Sequence, residues 1–326
     1  SETSYGLLFV LAAVYGSIVP FMATARFAMV GNILTPAKLG VGSILLSIIS
    51  VIGYGLGPLI AGVIKDTASW TWLFGFNAVG WALSGLGYLL ITKAHAQTTL
   101  GNASHFEDFK DGLKYIVNHK LLLQLCLAMS IVAFFVLGPY QAVMPELLKQ
   151  TFAFGEKQRG YFMAIFGAGL LLGGILTTVL RKSRKAGMIL ITATLSIGCS
   201  FSLVSASASY FPSLVFLFIS GILGGISNGL VSALMQEESP DRVRGRVMSM
   251  YSFIVNGMPA LGGLLISLVA TGTSLADSII VAGASAVVLS LILSIFAKRL
   301  RLHGYQDKTK LLESECEDDN TAPCNT

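Results

Sequence analysis

Long stretches without a single Asp, Glu, Lys or Arg dominate this chain, at 3–25, 39–64, 67–92, 121–145, 160–180, 186–236, 247–276 and 278–297. An α-helix rising 1.5 Å per residue needs about 20 residues to cross roughly 30 Å of hydrocarbon, and each stretch supplies them. The 186–236 stretch is more than twice that length and holds Ser209, Tyr210, Phe211 and Pro212 at its middle, so it reads as two spans. Nine spans are expected, at 5–23, 38–64, 69–92, 121–145, 160–180, 186–207, 211–236, 246–271 and 275–297.

With 54% hydrophobic and only 12% charged residues, the chain is too apolar for a water-soluble domain. Backbone polar groups must be satisfied internally in lipid, which leaves helices or a closed barrel. Unbroken apolar runs lack the alternation of barrel strands, so the expected fold is all-α and polytopic. The basic residues are scattered among short loops rather than gathered in one stripe, which argues against nucleic acid despite the net charge of +5. The loops at 26–38, 93–120, 181–185, 237–246 and 298–326 hold 18 of the 22 Lys and Arg, leaving Lys65, Lys149, Lys157 and Arg159 for the other side. The positive-inside rule then places the N-terminus of this chain outside and its C-terminus in the cytoplasm.

The remaining polar segments divide the chain into a three-span part at 1–92, a linker at 93–120, a six-span part at 121–298 and a tail at 299–326. In the linker Phe106, Phe109, Leu113, Ile116 and Val117 recur at helical spacing, predicting an amphipathic helix on the inner membrane surface. The tail turns acidic at Glu313, Glu315, Glu317, Asp318 and Asp319 without periodicity, the pattern of a disordered segment. Cys126 and Cys199 fall inside spans, while Cys316 and Cys324 match no metal-ligand spacing; no metal or cofactor is expected.

An internal repeat links the two parts. Thr35-Pro36-Ala37-Lys38-Leu39 and Ser239-Pro240-Asp241-Arg242-Val243 each follow one span and open the next, and Pro58 with Gly62 matches Pro259 with Gly263 after a three-residue shift. Spans 1 and 2 therefore correspond to spans 7 and 8. Six spans after the linker lead to the expectation of six before it, of which this chain, starting without Met, carries three.

Two six-helix halves joined by a cytoplasmic linker resemble the major facilitator superfamily of secondary transporters. Ser239-Pro240-Asp241-Arg242-Val243-Arg244-Gly245-Arg246-Val247-Met248-Ser249 resembles the loop before the eleventh helix of exporters for enterobactin and macrolides. Gly138-Pro139 to Met144-Pro145, Gly160-Tyr161-Phe162 and Gly167-Ala168-Gly169 with Gly173-Gly174 resemble helices seven and eight, and Leu73-Phe74-Gly75-Phe76-Asn77-Ala78 the sixth. By this resemblance the nine spans are helices 4 to 12 of a twelve-helix drug/proton antiporter, in two pseudo-symmetric halves. Gly53-Tyr54-Gly55-Leu56-Gly57-Pro58-Leu59-Ile60-Ala61-Gly62 is similar to the antiporter motif of that superfamily's exporters, with Ala61 in place of a usual Gly. Read physically, Gly53, Gly57 and Ala61 form a small-residue stripe for close helix approach, and Pro58 frees a carbonyl and can bend the span. The same kind of stripe recurs at Gly221, Gly225, Gly229 and Ala233, so plain helix packing is the competing reading.

The described family pattern places spans 1, 4 and 7 around a central cavity. They offer Tyr15 and Ser17, then Gln124, Phe134, Phe135, Tyr140 and Gln141, then Ser227, Asn228 and Ser232. Tyr15, Tyr140, Gln141 and Asn228 are the expected cavity residues, in an aromatic wall suited to an amphipathic, largely uncharged compound. Ser227 and Ser232 are expected to bond neighbouring helices instead. Arg181, Lys182 and Arg184, with Arg242, Arg244, Gly245 and Arg246, form cytoplasmic loops that either lock a closed state through helix ends or set topology. No span carries a mid-membrane ionisable side chain, so the coupling proton is implied by the resemblance alone. No phosphate loop, nucleophile elbow or HExxH occurs, so no enzyme activity is expected. The expected function is efflux of a drug, antibiotic or siderophore by alternating access, from a monomer in the plasma membrane. A non-transporting truncated membrane protein and a lipid flippase are the alternatives.

Overall fold

The computed structural model describes residues 36–89, 105–181, 183, 185–207, 209–297 and 300, with Leu7, Val10, Leu11, Val14, Ile18 and Met22; side chains at 36–48, 50, 51, 54, 105–111, 241 and 242 are outside the description. The order is α1 (Pro36–Thr67), α2 (Trp70–Leu89), α3 (His105–Asn118), α4 (Lys120–Ala142), α5 (Met144–Phe152), α6 (Glu156–Leu180), α7 (Ala186–Ala206), α8 (Tyr210–Glu238), α9 (Asp241–Gly272) and α10 (Leu275–Phe296). The described chain is all-α. The six helices α4, α6, α7, α8, Val243–Gly272 of α9 and α10 are long and apolar enough to cross a membrane. The break expected at Ser209 falls between α7 and α8, and the linker helix expected from its apolar spacing is α3. The first expected span lies outside the described residues apart from its six isolated positions, which are helical.

Helix ends follow from local chemistry. α10 opens with a reciprocal cap in which the Asp277 amide donates to Ser274 Oγ at 3.0 Å and the Ser274 hydroxyl donates to the Asp277 carboxylate at 2.6 Å. α6 opens with Glu156 in its first turn, where a negative charge meets the positive end of the helix dipole. The span expected at 121–145 is present as α4, with a π-turn at Ala133–Leu137 inside it, and the chain continues as α5 after Val143. Pro139 has no N–H to donate back to Phe135, so the α-ladder is interrupted where that turn ends.

Glycines set the packing. α6 lies between α1 and α8 and uses two different faces: Gly160 and Gly167 meet Gly62 and Gly55 of α1, while Gly169 and Gly173 meet Gly221 and the 222–226 turn of α8. Without an aqueous driving force in lipid, such backbone approach supplies association through dispersion. The stripe foreseen at Gly221, Gly225 and Gly229 does this work, ending on Thr177. The stripe foreseen at Gly53, Gly57 and Ala61 does not. A Cβ at Gly53 or Gly57 meets nothing within 4 Å, and close approach falls on Gly55 and Gly62, seven residues or two turns apart on an adjacent face. α2, next to α1, contains no buried residue. The buried core is centred in α4 and α6–α10, with Leu122, Leu125, Met129, Phe162, Phe166, Ile197, Phe201 and Leu230 each almost fully enclosed.

The internal repeat is expressed in the fold. α1 and α9 are both 32 residues long, and each carries one interior proline.

Candidate functional site

The two interior prolines make the same contact. A Cβ on Gly160 of α6 would lie 2.6 Å from the Pro58 carbonyl of α1, and one on Gly138 of α4 would lie 2.7 Å from the Pro259 carbonyl of α9. A proline has no N–H for the carbonyl four residues before it, so these segments are where each long helix bends at least cost. Four residues beyond each proline, Gly62 and Gly263 complete the same crossings against Gly160 and Gly138. Each half thus contains a bendable helix crossing a glycine of a neighbour.

On the α4 side the crossing coincides with the π-turn. Gly262 of α9 sits against the backbone of Phe134, and the Phe134 and Phe135 rings stand 4.8 Å apart in a tilted pair. Tyr140 is buried: its hydroxyl donates to the Met163 carbonyl of α6 at 2.8 Å and its ring lies 4.2 Å from that of Phe166. The residue expected to line a cavity therefore anchors α4 to α6 in this state. Gln141 is exposed. Tyr15 lies outside the described residues.

Asn228 of α8 accepts from the Tyr251 hydroxyl of α9 through both its side-chain oxygen and, at 3.3 Å, its main-chain carbonyl. One turn further along α9, Asn256 donates to the Ser252 carbonyl at 2.8 Å. Ser227 beside Asn228 is buried, and its hydroxyl has no hydrogen-bond partner among the described residues; the helix-to-helix bond expected for it is absent there. Ser232 accepts from Gln236 of its own helix at 3.2 Å rather than from a neighbour. Gln124 is occupied at the end of α10, donating to the Phe296 carbonyl at 3.5 Å and accepting from the Leu300 amide at 3.2 Å. Tyr251 and Asn256 were not among the sequence candidates. Their signal is the polar set Tyr251, Ser252 and Asn256 within an otherwise apolar span.

At the basic end of the bundle, Arg181 after α6 pairs with Glu237 of α8 at 3.7 Å. Arg244 of α9 donates to the Gln236 and Ser239 carbonyls, each at 3.1 Å, and so caps the C-terminal end of α8 with a cation. The Arg246 backbone lies against Gly112 of α3, while Gly245 faces open space. α3 buries Ile116 and leaves Leu113 and Val117 exposed, which divides the apolar face foreseen for the membrane surface. Lys182, Arg184 and the Arg242 side chain lie outside the described residues. At the opposite end Arg159 pairs with Glu156 at 2.5 Å and donates to the Pro145 carbonyl at 3.4 Å.

Repeated long helices with interior prolines, glycine crossings and a few polar groups inside an apolar bundle define a polytopic helical protein. The family model described as Major Facilitator Superfamily matches residues 1–263, and the chain belongs to that superfamily. It is 28% identical over 290 residues to an uncharacterised MFS-type transporter, YwfA, of Bacillus subtilis, covering 87% of this chain and 65% of that protein. It is 21% identical over 257 residues to the enterobactin exporter EntS of Escherichia coli, covering 77% of this chain and 60% of the exporter. The chain thus spans less than two thirds of the length of these curated relatives. Among solved structures, the nucleoside transporter NupG superposes with a TM-score of 0.62 at 14% identity, over 87% of this chain and 83% of that one, a likeness of fold.

Proposed function

We propose that the chain works in a secondary transporter that exports a small amphipathic compound by alternating access, with its basic end in the cytoplasm. The observation that carries this reading is the pair of proline carbonyl contacts, Pro58 on Gly160 and Pro259 on Gly138. A machine that alternates between two openings needs packed helices that bend and rock about close contacts, and both repeats have one. The cavity assignment rests on Asn228 and Gln141, with Tyr140 released from Met163 in another state. Export rather than uptake is supported by the antiporter-like sequence Gly53–Gly62 and by the likeness to an enterobactin exporter. Arg181, Lys182, Arg184, Arg242, Arg244 and Arg246 would hold the cytoplasmic ends together when that side closes, and Gly57 would give α1 its freedom beside Pro58. Proton coupling completes the proposal, carried over from the resemblance to the superfamily's drug/proton antiporters.

Dye accumulation tests the reading. Efflux-deficient bacteria expressing the chain should retain less of a hydrophobic fluorescent dye than cells carrying an empty plasmid, and a protonophore should abolish the difference. Equal retention at verified membrane expression overturns export by this chain.

A further inference from the structure

At the end of the bundle opposite the basic loops, Ala153 has φ 52° and ψ 32°, the one positive φ among the described residues. A Cβ makes the left-handed conformation costly, and it persists where the surroundings over-determine it. Here those surroundings are four aromatic rings. The turn at Ala153 brings Phe152 and Phe154 into a stack at 5.1 Å, and both meet Phe162 of α6 and Tyr210, the first residue of α8. Every pair among the four has its ring centroids 5.1–6.4 Å apart. That is direct ring contact, with no room for a solute between them. The cluster is a clasp rather than a cage for a ligand.

The clasp holds α5. This short helix joins α4 through Val143, and Pro145 in its first turn has no N–H for the Gln141 carbonyl, so the hydrogen-bond ladder is interrupted at the junction. Beyond the junction α5 is fastened in three ways. Met144, Leu147 and Leu148 are buried, the Pro145 carbonyl accepts from Arg159 of α6 at 3.4 Å, and Phe152 sits in the clasp. Lys149 and Gln150 are exposed. α5 is thus jointed at one end and clasped at the other, with a strained residue beside the clasp. The strain at Ala153 opposes the rings, so the clasp opens at less cost than the ring contacts alone would set. Clamps and switch regions concentrate strained residues for this reason.

We infer that α5 is a releasable strap at the outer end of the six-span part, clasped by Phe152, Phe154, Phe162 and Tyr210 in this state and freed at Ala153 when the outer side opens to discharge its compound. The release step rests on the export reading and the orientation proposed above; the clasp does not.

Leu148→Cys, at a position 1% exposed, in a chain whose four native cysteines are replaced by alanine, reports the strap through its rate of reaction with a membrane-impermeant maleimide added to whole cells. It should react about ten-fold more slowly than Gln150→Cys in the same background. Tyr210→Ala removes three of the six ring contacts and should raise the Leu148→Cys rate about ten-fold. Ala153→Gly, which takes φ > 0 without strain, should lower that rate and slow dye efflux at equal membrane expression. Leu148→Cys reacting as fast as Gln150→Cys, or indifferent to both Tyr210→Ala and Ala153→Gly, would overturn the strap. Slower labelling with undiminished efflux in Ala153→Gly would overturn its part in transport. A Gln150→Cys chain that reacts only after the cells are opened would overturn the outer placement. Labelling as expected without dye efflux from any chain, the unaltered one included, would overturn the export reading and leave the clasp standing.

Discussion

The Pro58 carbonyl of α1 points into the notch left by Gly160 of α6, where a Cβ would stand only 2.6 Å away. A side chain at that position has backbone on the far side and nothing flexible to displace. Gly160→Val should therefore cost roughly 1–3 kcal/mol of stability, the usual penalty of overpacking. Gly57→Ala, on the open face of the same region of α1, should stay within about 0.5 kcal/mol. Thermal unfolding of both variants in detergent decides it, and equal midpoints would remove the crossing from any account of how α1 is held.

Tyr251 and Asn228 tie α9 to α8 inside the apolar bundle. Hydrogen bonds between membrane helices average about 0.6 kcal/mol and reach about 1.7. A double-mutant cycle of Tyr251→Phe and Asn228→Ala should give a coupling energy in that range, because both changes remove the bond to the Asn228 side chain, while Asn228→Ala keeps the longer one to its main-chain carbonyl. Additive effects would show that the two side chains do not act as a pair in the protein's resting state. The same variants should alter dye efflux by more than their stability loss explains, the result expected of a residue proposed to line the path.

Which of these features the sequence discloses follows from the distance over which they are decided. The proline repeat is legible because Pro36 with Pro58 and Pro240 with Pro259 recur in order, and both helices bear it out. The Gly221, Gly225 and Gly229 stripe is legible because three glycines at four-residue spacing share one helix face. In α1 glycines at 53, 55, 57 and 62 define more than one row, and only the position of α6 chooses Gly55 and Gly62. Gln124 shows the same limit. A polar residue in a span reads as cavity lining until the returning chain at Phe296 and Leu300 takes its amide. The break in α4 was written in Pro139, but whether a proline yields a kink or a π-turn depends on what fills the gap, here Gly262 of α9.

The Arg181–Glu237 pair joins the ends of α6 and α8 while both side chains remain partly exposed. Screened pairs of this kind contribute about 0–1 kcal/mol, and salt diminishes them. Glu237→Gln should lower stability by less than about 1 kcal/mol in low salt and leave it unchanged near 1 M salt, where the native pair is already screened. Unfolding midpoints measured across that salt range check the sign. A loss that persists at high salt would mean that Glu237 acts through packing and not charge.

Pro139 separates the structural and the mechanical roles of α4. Restoring an N–H with Pro139→Ala lets the π-turn at Ala133–Leu137 relax toward a regular helix, which removes an interruption in the hydrogen-bond ladder. Stability should therefore hold or rise, with any loss inside about 0.5 kcal/mol. The regular helix would also rotate Phe134 away from Gly262 and stiffen α4 at its crossing with α9, so dye efflux should fall even as the protein becomes no less stable. Efflux measured at matched membrane expression, beside thermal unfolding of the same preparation, separates the two effects. Undiminished efflux from a stable Pro139→Ala protein would show that the π-turn in α4 serves packing alone, and would shift the moving part of the proposed machine to the Pro58 and Gly160 crossing.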